Sequence, residues 1–206
     1  MSRGLGDVYK RQVMGNVYHT KEEMIDCVNA FYEGMVQRSE EMKRHPNYKT
    51  GENYAYLGLP PCFLIFDEYV AFFEMLGTKE SVGLLSQLKK IVMLGRQAGY
   101  FLIVACQRPD AKYFSDGIRD NFNFRVGLGR ISELGYGMLF GSDVKKQFFQ
   151  KRIKGRGYCD VGTSVISEFY TPLVPKGHDF LQTIGSLAQA RQDGTATCEA
   201  KGDGTD

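Results

Sequence analysis

Two short apolar runs joined by one helical stretch constrain this chain more than any other feature. Phe63–Phe66 follows Pro61 and ends in Asp67 and Glu68, whereas Tyr100–Cys106 follows a glycine and ends in Gln107, Arg108 and Pro109. Their length and their aromatic and aliphatic content suit strands buried on both faces of a parallel sheet. Between them, from about Ser81 to Gln97, Leu85, Leu88 and Val92 recur at helical spacing, and Gly99 supplies the stop. Strand, helix, strand is a βαβ unit, which requires parallel strands and a right-handed crossover. The predicted class is therefore α/β.

The flanking sequence extends this unit. Thr20 followed by Glu23 is a capping-box signature, and Met24, Val28, Phe31, Met35 and Met42 then predict a helix over about Thr20–Arg44, ended by Pro46. His45–Pro61 is turn-rich. Phe124–Leu128 reads as a third strand of the same kind, and Arg156–Asp160 with Val165–Tyr170 as an antiparallel C-terminal hairpin around Val161–Ser164. From Ser186 to Asp206 the residues become small and polar without periodicity, the composition of a disordered tail. The expected division is a leader over 1–12, a domain over 13–185 and a tail over 186–206.

Composition excludes several classes. The 206 residues are 43% hydrophobic and 24% charged, ordinary values for a globular domain and far from those of collagen-like or disordered chains. No apolar run approaches the length of about 18 residues that a spanning helix needs, and Met1–Lys10 lacks the apolar region of a secretory signal. The five cysteines are odd in number and form no C-x-x-C pair, which points to reduced thiols and a cytoplasmic chain. His19, His45 and His178 are isolated from one another, so protein ligands alone do not predict a metal centre. The net charge of +2 is too balanced to imply a nucleic-acid partner by itself.

In open α/β sheets ligands bind beyond the carboxyl ends of the strands, which makes Asp67, Glu68 and Gln107 the candidate site. An apolar strand ending in Asp-Glu is the Walker B pattern, in which the first carboxylate helps to hold Mg²⁺ and the second activates water. The same pair also suits a cap for the following helix, and Gln107 also suits a loop hydrogen bond.

The segments LIFDEYVAFFE, LGRQAGYFLIVACQRPD and GIRDNFNFRVGLG, in this order, resemble the core of the FtsK/SpoIIIE family of DNA-pumping motors. The likeness runs over Pro61–Leu128 and more loosely to Val174, and GRGYCD with EFYTPLVP is similar to the TcpA-like branch carried on conjugative elements. The resemblance implies a RecA-like P-loop NTPase core that uses ATP and Mg²⁺, assembles as a hexameric ring and acts on double-stranded DNA. It implies Asp67 as the Mg²⁺-associated carboxylate, Glu68 as the catalytic base and Gln107 as the γ-phosphate sensor. Arg96 becomes an arginine finger acting on a neighbouring subunit, though a last-turn arginine also complements a helix dipole. Arg119 and Arg125 are expected at the subunit interface or the sheet edge.

The sequence departs from that family in two places. Arg130–Gly135 stands where the family carries a DSR turn, and no G-x-x-x-x-G-K-[ST] occurs, none of the 24 glycines being followed by lysine. The phosphate cradle is therefore missing from this core, and the chain alone is expected to be inactive. Gly4–Gln12 resembles a translated sequencing adapter, which predicts a natural sequence starting near Val13 and a longer motor whose P-loop and membrane helices lie upstream. The P-loop strand of such a fold sits between the sensor strand and the next, so open edges are expected on Tyr100–Cys106 and Phe124–Leu128.

For DNA contact the densest basic stretch is Lys145–Arg156, with six basic and no acidic residues around Phe148 and Phe149. A solvated helix face explains that stretch equally well. Two further functions fit the sequence: a type VII secretion motor with protein cargo, and a non-catalytic module docked on an intact motor.

Overall fold

The computed structural model describes residues 17–109, 112, 114, 116–141, 144, 153–163 and 165–192. The leader at 1–12 and the basic residues 145–152 lie outside the described residues. The chain divides into two units, Lys21–Leu173 and a second comprising Met1–Thr20 with Val174–Asp206.

The first unit opens with α1, Lys21–Arg44, whose Val28, Met35 and Met42 are buried in the predicted stripe. After a 3₁₀ turn at Tyr54–Leu57 come β1, Cys62–Phe66; α2, Tyr69–Glu74; α3, Thr78–Ala98; and β2, Tyr100–Val104. Strands β1 and β2 are parallel and in register from Cys62↔Tyr100 to Phe66↔Val104, as the βαβ reading requires. Helix α3 begins three residues before Ser81, where Glu80 accepts a hydrogen bond from Gly77 N at 2.8 Å. The short helix α2 was not expected, because six residues are too few to display a helical period.

The core lies between this parallel pair and the helices α1 and α3, with Val28, Leu64, Phe66, Leu88 and Ile91 at its centre. Two glycines set the approach of α3 to β2. A Cβ at Gly95 would collide with the Tyr100 carbonyl oxygen, and Gly99 takes φ +77° against the ring of Tyr54. Arg38 ties α1 to the start of both strands: it donates to Pro60 O at 2.7 Å and to Cys62 Sγ at 3.4 Å, and lies 4.8 Å from the centre of the Tyr100 ring.

The expectation of strands buried on both faces is overturned. Leu64 and Phe66 are buried, but Phe63, Ile65 and Ile103 are 55%, 65% and 47% exposed. Phe63 stacks on Phe101 at 5.5 Å along this open face. Both long helices cover the other face, and among the described residues β1 and β2 pair only with each other. Expressed alone, the chain is therefore expected to self-associate and to bind a hydrophobic dye. Sedimentation as a single monomeric species without dye binding would contradict that expectation.

Beyond β2 the unit continues with α4, Asp116–Arg119; β3, Arg125–Leu128; α5, Glu133–Phe140; β4, Arg156–Asp160; and β5, Ile166–Tyr170. The predicted hairpin is present, β4 and β5 pairing antiparallel from Arg156↔Tyr170 to Asp160↔Ile166. The third strand is not of the predicted kind: β3 runs antiparallel to β4, from Arg125↔Asp160 to Leu128↔Gly157, in a separate three-stranded sheet. Gly157 permits that pairing, since a Cβ there would collide with the Gly127 carbonyl oxygen. Tyr136, Phe140 and Tyr158 form a second small core on this sheet.

In the second unit, α6 spans Phe180–Gln192. Residues 186–192 are thus helical, which corrects the tail expected from Ser186, while 193–206 lie outside the described residues. Asp179 starts this helix, its Oδ1 accepting from Leu181 N at 2.9 Å and Gln182 N at 3.1 Å.

Candidate functional site

The carboxyl ends of β1 and β2 are joined through one residue. Ala105 N donates to Phe66 O at 2.8 Å, and Tyr69 N donates to Ala105 O at 3.0 Å. A regular parallel ladder would take that second bond from Glu68, so Asp67 and Glu68 together stand opposite Ala105 as a bulge. The extra residue, Glu68, has φ 56° and ψ 53°, and among the described residues it is the one non-glycine with positive φ. This left-handed conformation costs a non-glycine residue about 1–2 kcal/mol, and the surrounding contacts offset it. Buried Tyr69 packs on Phe66, Phe73 and Phe114 at ring separations of 5.6, 4.8 and 4.7 Å.

Glu68 stands at the N-cap of α2, but its side chain makes no capping hydrogen bond. Instead Gln107 Nε2 donates to Glu68 Oε1 at 3.1 Å, across 39 residues of sequence. The structure thus unites two of the four sequence-predicted residues and leaves the helix-cap alternative for Glu68 unused. Asp67, next in the chain, is exposed at the same sheet edge.

Arg96 is elsewhere. It is exposed in the last turn of α3, which enters β2 at Tyr100, whereas Gln107 follows the other end of that strand. Five strand residues rise about 17 Å, so Arg96 and Glu68 occupy opposite edges of the parallel pair. Arg125 lies on β3, an outer strand of the three-stranded sheet, where its guanidinium contacts Asp160 at 2.6 Å and donates to Leu139 O at 3.3 Å. Arg119 lies 3.5 Å from Asp120 and is mostly covered.

Sequence reasoning missed Cys106, half-buried and next to Gln107 in the chain. Burial, and then the neighbouring Glu68 charge, raise its thiol pKa above the ordinary range. The Tyr69 hydroxyl is likewise raised, by burial first and Cys106 second. A Cys just before Gln107 in the sequence was the available signal, but its spacing from other ligands suggested nothing.

The donor set suits a hard cation shared with a phosphate. Among the described residues no three His, Cys, Asp or Glu side chains cluster as a metal site. Mg²⁺ is commonly held by one or two carboxylates together with substrate phosphates, and Asp67 supplies such a carboxylate. The Gln107 amide has a second N–H beyond the one given to Glu68. What the chain's sequence lacks is the lysine and the backbone cradle of a phosphate loop.

No family model matches the sequence. It is 53% identical over 190 residues to the FtsK domain-containing protein YdcQ of Bacillus subtilis (strain 168), a match over 92% of this chain and 39% of that relative's length. Among solved structures, the TcpA conjugation coupling protein of pCW3, determined with ATPγS, aligns with TM-score 0.58 at 17% identity over 79% of this chain and 49% of its own. The cytoplasmic domain of the type VII secretion ATPase EccC of Thermomonospora curvata aligns with TM-score 0.57 at 18% identity, over 84% and 21%. ATPases 2 and 3 of EssC from Geobacillus thermodenitrificans align with TM-score 0.59 at 16% identity, over 91% and 36%. These likenesses give the fold, that of P-loop ATPase domains. With half its residues identical to an FtsK domain-containing protein along nearly all of its length, the chain belongs to the FtsK/SpoIIIE family.

Proposed function

We propose that this chain is the Walker B and sensor part of an ATP-driven translocase that moves double-stranded DNA, as in conjugative transfer. The observation that carries the reading is the Gln107–Glu68 hydrogen bond beside Asp67 at the carboxyl edge of a parallel strand pair. Relatedness to an FtsK domain-containing protein and the fold shared with a conjugation coupling protein support it. Bound MgATP supplies the phosphoryl group and the cation that neutralises its charge. Asp67 holds the cation, directly or through water, and Glu68 accepts a proton from the attacking water. Arg96, on the opposite edge, would serve a neighbouring subunit's nucleotide in a hexameric ring, the role that the family likeness gives it. On this reading the phosphate loop and any membrane anchor would come from sequence outside this chain.

A second reading, protein cargo, is favoured by one observation: one of the solved structures sharing the fold, EccC, is a type VII secretion ATPase. ATP turnover by the intact protein separates the two. The DNA reading predicts turnover stimulated severalfold by double-stranded DNA of any sequence, with the stimulation lost steeply as salt rises. Turnover indifferent to DNA contradicts that reading and favours protein cargo, and the absence of turnover leaves a docking module.

A further inference from the structure

We infer that Gln107 is a positioning residue for Glu68: its amide holds the carboxylate in place in the absence of nucleotide. The inference rests on the ATPase reading of the site and adds to it a role for the glutamine that is distinct from phosphate contact.

Three observations carry it. The first is the bulge, which takes Glu68 out of the ladder and leaves it at the N-cap of α2 with no side-chain capping bond. The second is the left-handed backbone at Glu68, a conformation that local propensity does not favour and that surrounding contacts must hold. The third is the 3.1 Å bond that the carboxylate accepts from Gln107 Nε2. A partly exposed glutamate with several rotatable bonds samples many positions unless such a bond selects one. The primary amide uses one of its two N–H groups for this purpose. Turnover then depends on Gln107 through the placement of Glu68.

Gln107→Leu preserves bulk and removes both N–H groups at an exposed position, so folding is spared. In the intact protein it is expected to lower kcat for ATP about a hundredfold, the usual penalty for a misplaced catalytic group, with KM unchanged. In a Glu68→Asp background, where the shortened arm has already lost the bond, adding Gln107→Leu is expected to cost little more. A readout independent of turnover accompanies these: without nucleotide, the Gln107 side-chain amide NMR signal, assigned by its loss in Gln107→Leu, is expected to shift on Glu68→Ala. A raised KM at unchanged kcat, a further full loss in the double variant, or an amide signal indifferent to Glu68→Ala each overturns the inference. Should Glu68→Gln hydrolyse ATP at the wild-type rate, the ATPase assignment of Glu68 fails instead, while the amide signal still decides whether Gln107 holds it.

Discussion

Glu68→Gln is expected to lower ATP turnover by the intact protein by about 10²- to 10⁴-fold, the range associated with a positioned acid–base group. Glutamine has nearly the same shape and keeps a side-chain oxygen able to accept from Gln107, so the bulge and the contact at 3.1 Å are preserved. What it lacks is the ability to take a proton from water. Nucleotide affinity is therefore expected to stay at the wild-type value while kcat falls, because the lost interaction acts in the transition state alone. The reading predicts a different result for Asp67→Ala, in which weaker binding of Mg²⁺ raises the KM for MgATP. Steady-state kinetics at several Mg²⁺ concentrations distinguish the two carboxylates.

Asp160→Ala is expected to be the most damaging single substitution in the three-stranded sheet. Asp160 is 2% exposed, contacts the Arg125 guanidinium at 2.6 Å and accepts from Gly162 N at 2.9 Å. Removing one partner of a buried pair leaves the other charge uncompensated, at a cost of about 3–5 kcal/mol. The loss falls on β3 and β4, which this pair joins at the Arg125↔Asp160 end of their register. Hydrogen exchange should show amide protection in those strands reduced by about a hundredfold or more, with β1 and β2 little affected because they belong to a different core. Replacing both partners, as Arg125→Met with Asp160→Leu, should restore most of the protection, since a packed apolar pair avoids the buried charge. An Asp160→Ala protein with wild-type exchange would show that the pair contributes nothing.

The parallel pair was legible because Phe63–Phe66 and Tyr100–Cys106 differ from everything around them and each ends in polar residues. Gln107 and Glu68 were legible as a pair for the same reason, since parallel strands bring residues that follow each strand to one edge. The bulge was not legible. Positive φ is signalled by Gly or Asn, and a glutamate there follows from tertiary contacts around Tyr69 and Ala105 that no local pattern displays. The sheet to which Arg125–Leu128 belongs was also hidden, because four residues read alike in a parallel or an antiparallel ladder. Burial was misread for a related reason: apolar content at Phe63, Ile65 and Ile103 predicts a covered face without saying what covers it. In the tail, Gly185 and Ser186 masked the spacing of Leu181, Ile184 and Leu187 that α6 displays.

The central proposal is that Asp67, Glu68 and Gln107 form one half of an ATP site whose phosphate loop is supplied by sequence outside this chain. The reading frame at the genomic locus, sequenced in one long read across the junction near Val13, tests it most directly. The account predicts an open frame continuing upstream of α1 and encoding a G-x-x-x-x-G-K-[ST] loop. A frame that starts at Met1 behind its own ribosome-binding site would contradict it, and Asp67, Glu68 and Gln107 would then have no triphosphate to act on within their own polypeptide.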